Sequence, residues 1–133
     1  MTDDRLRIHE LINLHGHLMD EGRFDRLDEL VTADVVYDVT ALGGGVLVGP
    51  QAMTDAGRQL GDRNPVGHLV TNIVVVALED DVASAVSKGL GVLTDGSVAA
   101  VVYEDELVRT PEGWRIARRV VLPRRRPLHP SRP

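Results

Sequence analysis

Residues 97–122 read SVAAVVYEDELVRTPEGWRIARRVVL, and this stretch decides the fold. Residues 97–109 and 114–122 are rich in strand-forming residues, and polar and apolar side chains alternate within them, as in the apolar series Trp114, Ile116, Val120 and Leu122. Alternation with a period of two predicts β-strands, because successive side chains of a strand point to opposite faces. The link at 110–113 is short enough to make the two strands antiparallel neighbours. The stretch therefore predicts a long β-hairpin.

Further long strands are predicted ahead of this hairpin, at 66–78 and 82–94. The short link 79–81 joins them to each other. Asp95-Gly96 joins the later strand to the hairpin, and this dipeptide is typical of a tight turn between antiparallel strands. We therefore expect the second half of the chain to be an antiparallel meander of long strands.

Helical periodicity dominates the first half of the chain. Apolar side chains recur at three- and four-residue spacing along 3–20, which predicts an amphipathic helix. A second helix is predicted at 24–32, followed by short strands at 35–40 and 46–48. Pro50 suits the first turn of a third helix. Helices ahead of long antiparallel strands predict an α+β fold in which the helices pack on the sheet.

Composition excludes several classes of protein to which the chain could otherwise belong. The chain has 133 residues, 43% hydrophobic and 26% charged, which fits one globular domain, at 1–122, followed by a Pro- and Arg-rich tail at 123–133. The absence of cysteine excludes disulfides and thiolate metal sites. The net charge of −5 argues against general nucleic-acid binding, and no apolar run approaches the ~20 residues of a membrane span. The first residues lack a secretory signal pattern, so we expect a cytoplasmic protein.

Local sequence adds a family resemblance. Residues 20–34 (DEGRFDRLDELVTAD), 67–72 (GHLVTN) and the hairpin within 103–119 resemble stretches of the nuclear transport factor 2-like superfamily. They are closest to its SnoaL-like branch, which is similar to scytalone dehydratase and holds ketosteroid isomerases and polyketide cyclases. The resemblance implies a cone-like α+β barrel, in which three N-terminal helices pack on a curved, mainly antiparallel sheet around an apolar pocket. One fold hosts many activities, so the resemblance specifies the fold better than the reaction.

The catalytic candidates that the resemblance implies are Asp20 and His68. Asp20 falls where scytalone dehydratase has the aspartate that pairs with a catalytic histidine, and His68 matches another pocket histidine of that enzyme. The resemblance puts the pairing histidine near Val92, so it implies that the dyad of Asp20 is incomplete. An apolar wall favours a protonated carboxyl, and histidine serves as general acid or base near neutral pH. The alternatives are that Asp20 only ends a helix in water and that His68 is a hydrogen-bonded structural residue.

Candidates for substrate binding begin with His15, Tyr37 and Asn72. His15 lies on the apolar stripe of the first helix, where ketosteroid isomerases have their oxyanion-stabilising tyrosine. Packing in the core is the alternative role for this histidine. Tyr37 is expected on a strand face that points inward. Asn72 is expected to share the face of His68, because it follows on the same predicted strand at an even spacing.

The remaining substrate-binding candidates, Tyr103 and Asp105, alternate onto one face of their strand. Asp105 falls near the protonated aspartate of the isomerase oxyanion hole. A buried Asp105 must be protonated or paired, for example with Arg118, and a purely structural Asp–Arg pair is the alternative. Val39 stands where the isomerases have their general-base aspartate, and valine cannot take that role.

Together these residues predict a cofactor-independent lyase, isomerase or cyclase that moves protons on a small hydrophobic cyclic or polyketide-like substrate. The alternative is a non-catalytic module of the same fold that binds a small molecule or dimerises. No metal is expected, because His15 and His17 point to different helix faces and no third ligand accompanies them. The Val-rich strands would expose an apolar outer face, so we expect a homodimer joined through the sheet.

Overall fold

The chain forms helices and strands close to the predicted positions. The computed structural model describes residues 3–132. Its main helices are α1 (Asp4–Asp20), a 3-10 helix (Phe24–Glu29) and α2 (Pro50–Leu60). Its strands are β1 (Val31–Val39), β2 (Gly45–Val48), β3 (Gly67–Glu79), β4 (Val82–Val92), β5 (Val98–Thr110) and β6 (Gly113–Arg124).

All six strands belong to one sheet, in the order β2-β1-β6-β5-β4-β3. Strands β3 to β6 pair antiparallel with their chain neighbours, which confirms the predicted meander. β1 pairs antiparallel with β2 and parallel with β6. β2 and β3 remain as edges, so the curved sheet is open and not a closed barrel. The predicted α+β fold, with helices packed on a mainly antiparallel sheet, is confirmed.

The core lies between α1 and the inner face of the sheet. Asp3 caps α1, because its carboxylate accepts a hydrogen bond from the backbone N–H of Leu6 at 3.1 Å. The helix contributes buried side chains at the predicted spacing, Ile8, Leu11, Ile12 and Leu18. The sheet contributes Val75, Ala83, Ala85, Leu107, Trp114 and Ile116. Burial of each large apolar side chain contributes about 1.5–3 kcal/mol, and this layer holds α1 on the sheet.

Some boundaries differ from the prediction. The helix expected at 24–32 is a 3-10 helix that ends at Glu29, and Val31 already pairs with Ile116 of β6. β-Branched Val31 favours an extended backbone, so the strand begins earlier than expected. β6 continues to Arg124, beyond the predicted end of the domain.

A β-bulge at Ala117 changes which residues of β6 face inward. The ladder with β5 skips Ala117, which lies between Ile116 and Arg118. A bulge adds one residue to a strand and shifts the alternation of its side chains. As a result Arg119 is only 1% exposed, whereas the side chain of Arg118 remains 43% exposed. The expectation that Arg118 enters the inner face is therefore wrong.

Candidate functional site

The end of α1 meets the start of β3, and this contact joins Asp20 to His68. The Oδ1 atom of Asp20 lies 2.7 Å from Nδ1 of His68 and accepts the backbone N–H of His68 at 2.8 Å. The two side chains are 33% and 19% exposed, so solvent and small molecules can reach them. An ionised carboxylate can only accept hydrogen bonds, so Nδ1 of His68 carries the hydrogen in this pair. The other ring nitrogen, Nε2, is left to accept a proton.

Gly16 permits this contact between helix and strand. A Cβ atom at residue 16 would lie 2.3 Å from the backbone oxygen of His68, which is closer than real Cβ atoms approach a backbone. Any larger residue would therefore push α1 away from β3. Asp20 follows one helical turn later and reaches His68 because residue 16 has no side chain.

His15 lies deeper in the molecule, between His68 and Tyr103. Its ring centroid is 5.8 Å from that of His68 and 5.7 Å from that of Tyr103, edge-on in both cases. Burial lowers the pKa of His15 well below its ordinary value, and the charges of Arg119 and His68 lower it further. The imidazole of His15 is therefore neutral, with one nitrogen that donates and one that accepts.

An ion pair between Arg119 and Asp105 lies behind Tyr103. Nε of Arg119 donates to Oδ1 of Asp105 at 2.7 Å, and Nη2 donates to Oδ2 at 2.9 Å. Burial alone would lower the pKa of Arg119, but the charge and hydrogen bonds of Asp105 hold it above its usual range. The guanidinium carbon lies 4.2 Å from the centroid of the Tyr103 ring, a cation–π contact. The site therefore contains a buried cation whose charge is balanced by one carboxylate.

Two tyrosines flank this ion pair. Tyr37 lies beside Arg119 in the parallel β1–β6 ladder. The Tyr103 ring extends over β4, where a Cβ atom at Gly89 would lie 2.7 Å from the tyrosine oxygen. Burial raises the pKa of Tyr37 and of Tyr103, so both hydroxyls stay protonated and can donate hydrogen bonds.

Most of the predicted site residues thus lie together on the inner face. They form a row that we call the inner polar row, which begins at the exposed Asp20, passes through His68, His15 and Tyr103, and ends at the half-buried Tyr37. Asp105 lies next to this row, but both of its oxygens are bound by Arg119. The partner proposed for it, Arg118, lies instead 3.7 Å from Asp38.

Asn72 does not join the row, and the prediction for this residue is wrong. It is exposed and has a left-handed backbone with φ of 56°, within a bulge of β3 between Thr71 and Val74. The extra residue breaks the alternation that begins at His68. Even spacing from His68 therefore fails to place Asn72 on the same face.

The structure adds two inner-face residues that sequence reasoning missed, Arg119 and Ser87. Ser87 lies directly opposite Tyr103 in the β4–β5 ladder and is 2% exposed. One signal was available for Ser87, because small residues occupy every second position of β4, at Ala83, Ala85, Ser87 and Gly89. Small side chains leave room for Tyr103 and for polar groups on this face.

Within residues 3–132, no group of three or more His, Asp or Glu side chains is close enough to hold a metal ion. In the same range, no helix is long and apolar enough to cross a membrane. Two cavities lie apart from the inner polar row. One, of about 300 Å³, lies on the outer sheet face beside Glu104, Glu106 and Arg118, and one of about 450 Å³ lies near Asp28 and Pro50.

Sequence comparison gives a match over nearly the whole chain. Residues 1–120 match the model of the SnoaL-like domain. Uncharacterized proteins of Mycobacterium tuberculosis and Mycobacterium bovis are 34% identical over 122 residues, which cover 88% of this chain and 83% of theirs.

Solved structures share the architecture. An NTF2-like protein with a cystatin-like fold from Novosphingobium aromaticivorans is 29% identical, with a TM-score of 0.73, over 89% of this chain and 80% of that one. A protein described as a candidate scytalone dehydratase from the same organism has a TM-score of 0.75 at 20% identity, over 94% of this chain and 89% of that one. The second likeness shows a shared fold alone.

Proposed function

The chain belongs to the SnoaL-like domain family, and on this premise we propose that it is a cofactor-independent lyase, isomerase or cyclase. Its substrate is a small hydrophobic cyclic or polyketide-like molecule. Catalysis proceeds by proton transfer, with His68 as the acid–base group and Asp20 as its partner. His15, Tyr37 and Tyr103 bind the substrate.

The observation that carries this proposal is the 2.7 Å contact between Asp20 and His68 at the partly exposed end of the inner polar row. Asp20 fixes the tautomer of His68, so that Nε2 takes the proton from a substrate carbon or oxygen. The charge of Asp20 then stabilises the imidazolium that forms, and the same nitrogen returns the proton. Partial exposure of both side chains is consistent with a group that must meet a substrate.

The inner polar row supports a small, mostly apolar substrate. His15 is neutral and the tyrosines keep their protons, so these three residues of the row offer hydrogen bonds without a charge of their own. A few convergent polar groups beside an apolar core are typical of small-molecule sites, and the row lies beside the core that α1 and the sheet form.

Proton transfer can be measured without the natural substrate. The probe is 2-tetralone, an enolisable bicyclic ketone, in D₂O, with uptake of deuterium next to the carbonyl followed by NMR. We expect the protein to accelerate exchange, and His68→Ala to slow it by about 10²-fold or more, the usual scale for a lost acid–base group. His17→Ala, on the exposed side of α1, is the matched control and should exchange like the wild type.

Exchange at the buffer rate would contradict the enzymatic proposal for this substrate class. If 2-tetralone then still bound in a His68-dependent way, the site would belong to a non-catalytic binding module.

We also propose a homodimer joined through the outer sheet face. That face exposes large apolar side chains at Leu69, Val74, Val76, Val82 and Val98, each more than half exposed. Apolar patches of this kind mark interaction surfaces. Sedimentation at micromolar concentration should give about twice the 14.5 kDa chain mass, and a monomer would contradict the proposal.

A further inference from the structure

Three buried polar atoms near Tyr103 have no hydrogen-bond partner among the described residues of the protein. They are Nδ1 of His15, Oγ of Ser87 and Nη1 of Arg119. The three residues are 3%, 2% and 1% exposed. Buried polar side chains are nearly always paired, so three unpaired ones in one region require an explanation.

The three residues that carry these atoms all lie around Tyr103. Ser87 faces Tyr103 across the β4–β5 ladder, and the Arg119 guanidinium stacks on the Tyr103 ring. His15 meets the same ring from α1. The three groups therefore surround Tyr103 from strand β4, strand β6 and the helix.

Their chemistry favours an oxygen atom. Arg119 uses Nε and Nη2 for Asp105. The Tyr37 hydroxyl lies near enough to Arg119 for the guanidinium to affect the pKa of the tyrosine, but no group within residues 3–132 has hydrogen-bond geometry with Nη1, so the hydrogens of Nη1 remain as donors. The Ser87 hydroxyl can donate or accept, and the neutral His15 ring has one free nitrogen. A carbonyl or hydroxyl oxygen would satisfy donors from more than one of these groups.

We propose that Arg119, Ser87 and His15 form an inner subsite that binds a neutral carbonyl or hydroxyl oxygen of a cyclic ligand. This inference rests on the proposed function only for the expectation that the site takes a small cyclic molecule. The ligand oxygen is neutral in the resting complex because Asp105 already balances the charge of Arg119. A permanent carboxylate would add an uncompensated negative charge to a buried site.

The subsite also completes the proposed reaction. When Nε2 of His68 removes a proton from the carbon beside the carbonyl, the C–H electron pair moves to the carbonyl oxygen and forms an enolate. Nη1 of Arg119 and the Ser87 hydroxyl would hydrogen-bond to that oxygen as its negative charge develops, and such donors stabilise the transition state. The proton then returns from His68 to the substrate, so no other reactant is needed.

Binding of three ring compounds tests the subsite separately from catalysis. The probes are 2-tetralone, which has a carbonyl, tetralin, which has no oxygen, and 2-naphthoate, which has a carboxylate. We expect 2-tetralone to bind tightest to the wild type in calorimetric or NMR titrations. Ser87→Ala should weaken 2-tetralone about three- to tenfold, the effect of one hydrogen bond, and leave tetralin unchanged. Ser84→Ala, on the outer face of the same strand, is the matched control and should change neither.

A second variant, Arg119→Lys, keeps a cation for Asp105 but removes the free Nη1, so it should also weaken 2-tetralone selectively. Any one of four results would overturn the inference. They are failure of 2-tetralone to bind, equal wild-type affinity for 2-tetralone and tetralin, equal weakening of both by Ser87→Ala, and a preference for 2-naphthoate. Selective binding of 2-tetralone without deuterium exchange would retain the subsite and refute the catalytic proposal. If Ser87→Ala changes neither the exchange rate nor the affinity for 2-tetralone, the subsite is refuted and the catalytic proposal is not.

Discussion

Replacing Gly16 with alanine should destabilise the protein, although the same change usually stabilises a helix. Alanine is favoured over glycine inside a helix by about 1 kcal/mol. Here the new Cβ atom would lie 2.3 Å from the backbone oxygen of His68, against the 3.4 Å at which ordinary contact begins, so α1 and β3 would have to separate by about 1 Å.

The magnitude follows from these opposing effects. Overpacking that forces a backbone shift costs about 1–3 kcal/mol. The net change for Gly16→Ala is therefore a loss of up to about 2 kcal/mol in the free energy of unfolding, after the helix preference is subtracted. The same separation would stretch the 2.7 Å contact between Asp20 and His68 beyond hydrogen-bond length, so exchange activity should fall as well.

Gly57→Ala in α2 is the matched control. Its Cβ atom would meet the Phe24 ring at 2.7 Å, and a side-chain ring can move where a backbone cannot. Urea unfolding should therefore show a clear loss in the free energy of unfolding for Gly16→Ala. For Gly57→Ala it should show a smaller loss or a gain. A Gly16→Ala variant as stable as the wild type, with its exchange rate intact, would refute the close packing of α1 on β3.

Two further predictions concern stability. Hydrogen bonds from Arg109 and then from Trp114 lower the pKa of Asp4 from 3.8 to about 2. The stabilisation that ionised Asp4 gives the folded protein is therefore present above pH 3.8 and is lost as the pH falls through 2. Asp4→Asn should consequently lose less stability than the wild type between pH 4 and 2 in urea titrations. Equal losses in the two proteins would argue against the ion pair between Asp4 and Arg109. Gly96 has φ of +85° in the β4–β5 turn, and Gly96→Val should cost roughly 1 kcal/mol or more, because a β-branched residue resists positive φ. Unchanged thermal stability of that variant would contradict the turn.

The strands were predictable because each is a long run of strand-forming residues bounded by short turn segments. Tyr103 and Asp105 share the inner face, as the period of two requires. The β4–β5 connection was predictable in place but not in form. The backbone oxygen of Leu93 accepts the N–H of Gly96, and the N–H of Leu93 donates to the backbone oxygen of Ser97. The turn is therefore one residue longer than a two-residue hairpin.

The bulges were not predictable, and they account for the errors in the site. Ala117 carries no mark of a bulge, because its position depends on the register that β6 forms with two neighbours. The neighbouring arginines, Arg118 and Arg119, therefore exchanged faces relative to the prediction. The extra residue at Asn72 had the same effect on β3. Register between strands is a tertiary property, which a single strand's pattern does not contain.

Family resemblance placed Asp20 and His68 in one site, but it did not predict that His68 would be the partner of Asp20. The residues are 48 positions apart, and no local pattern relates them. Gly16 also has no local reason to be glycine, since the atom that a side chain would strike belongs to β3. Contacts between distant segments decide both features.

The exchange rate of the Asp20→Asn variant tests the proposed acid–base pair most directly. Asparagine keeps the size of aspartate but removes its charge and offers an amide that can favour the wrong His68 tautomer. We predict that deuterium uptake by 2-tetralone slows by about 10²-fold or more, while the urea midpoint stays close to that of the wild type. Uptake at the wild-type rate in a folded Asp20→Asn protein would contradict the assignment of Asp20 and His68 as the catalytic pair.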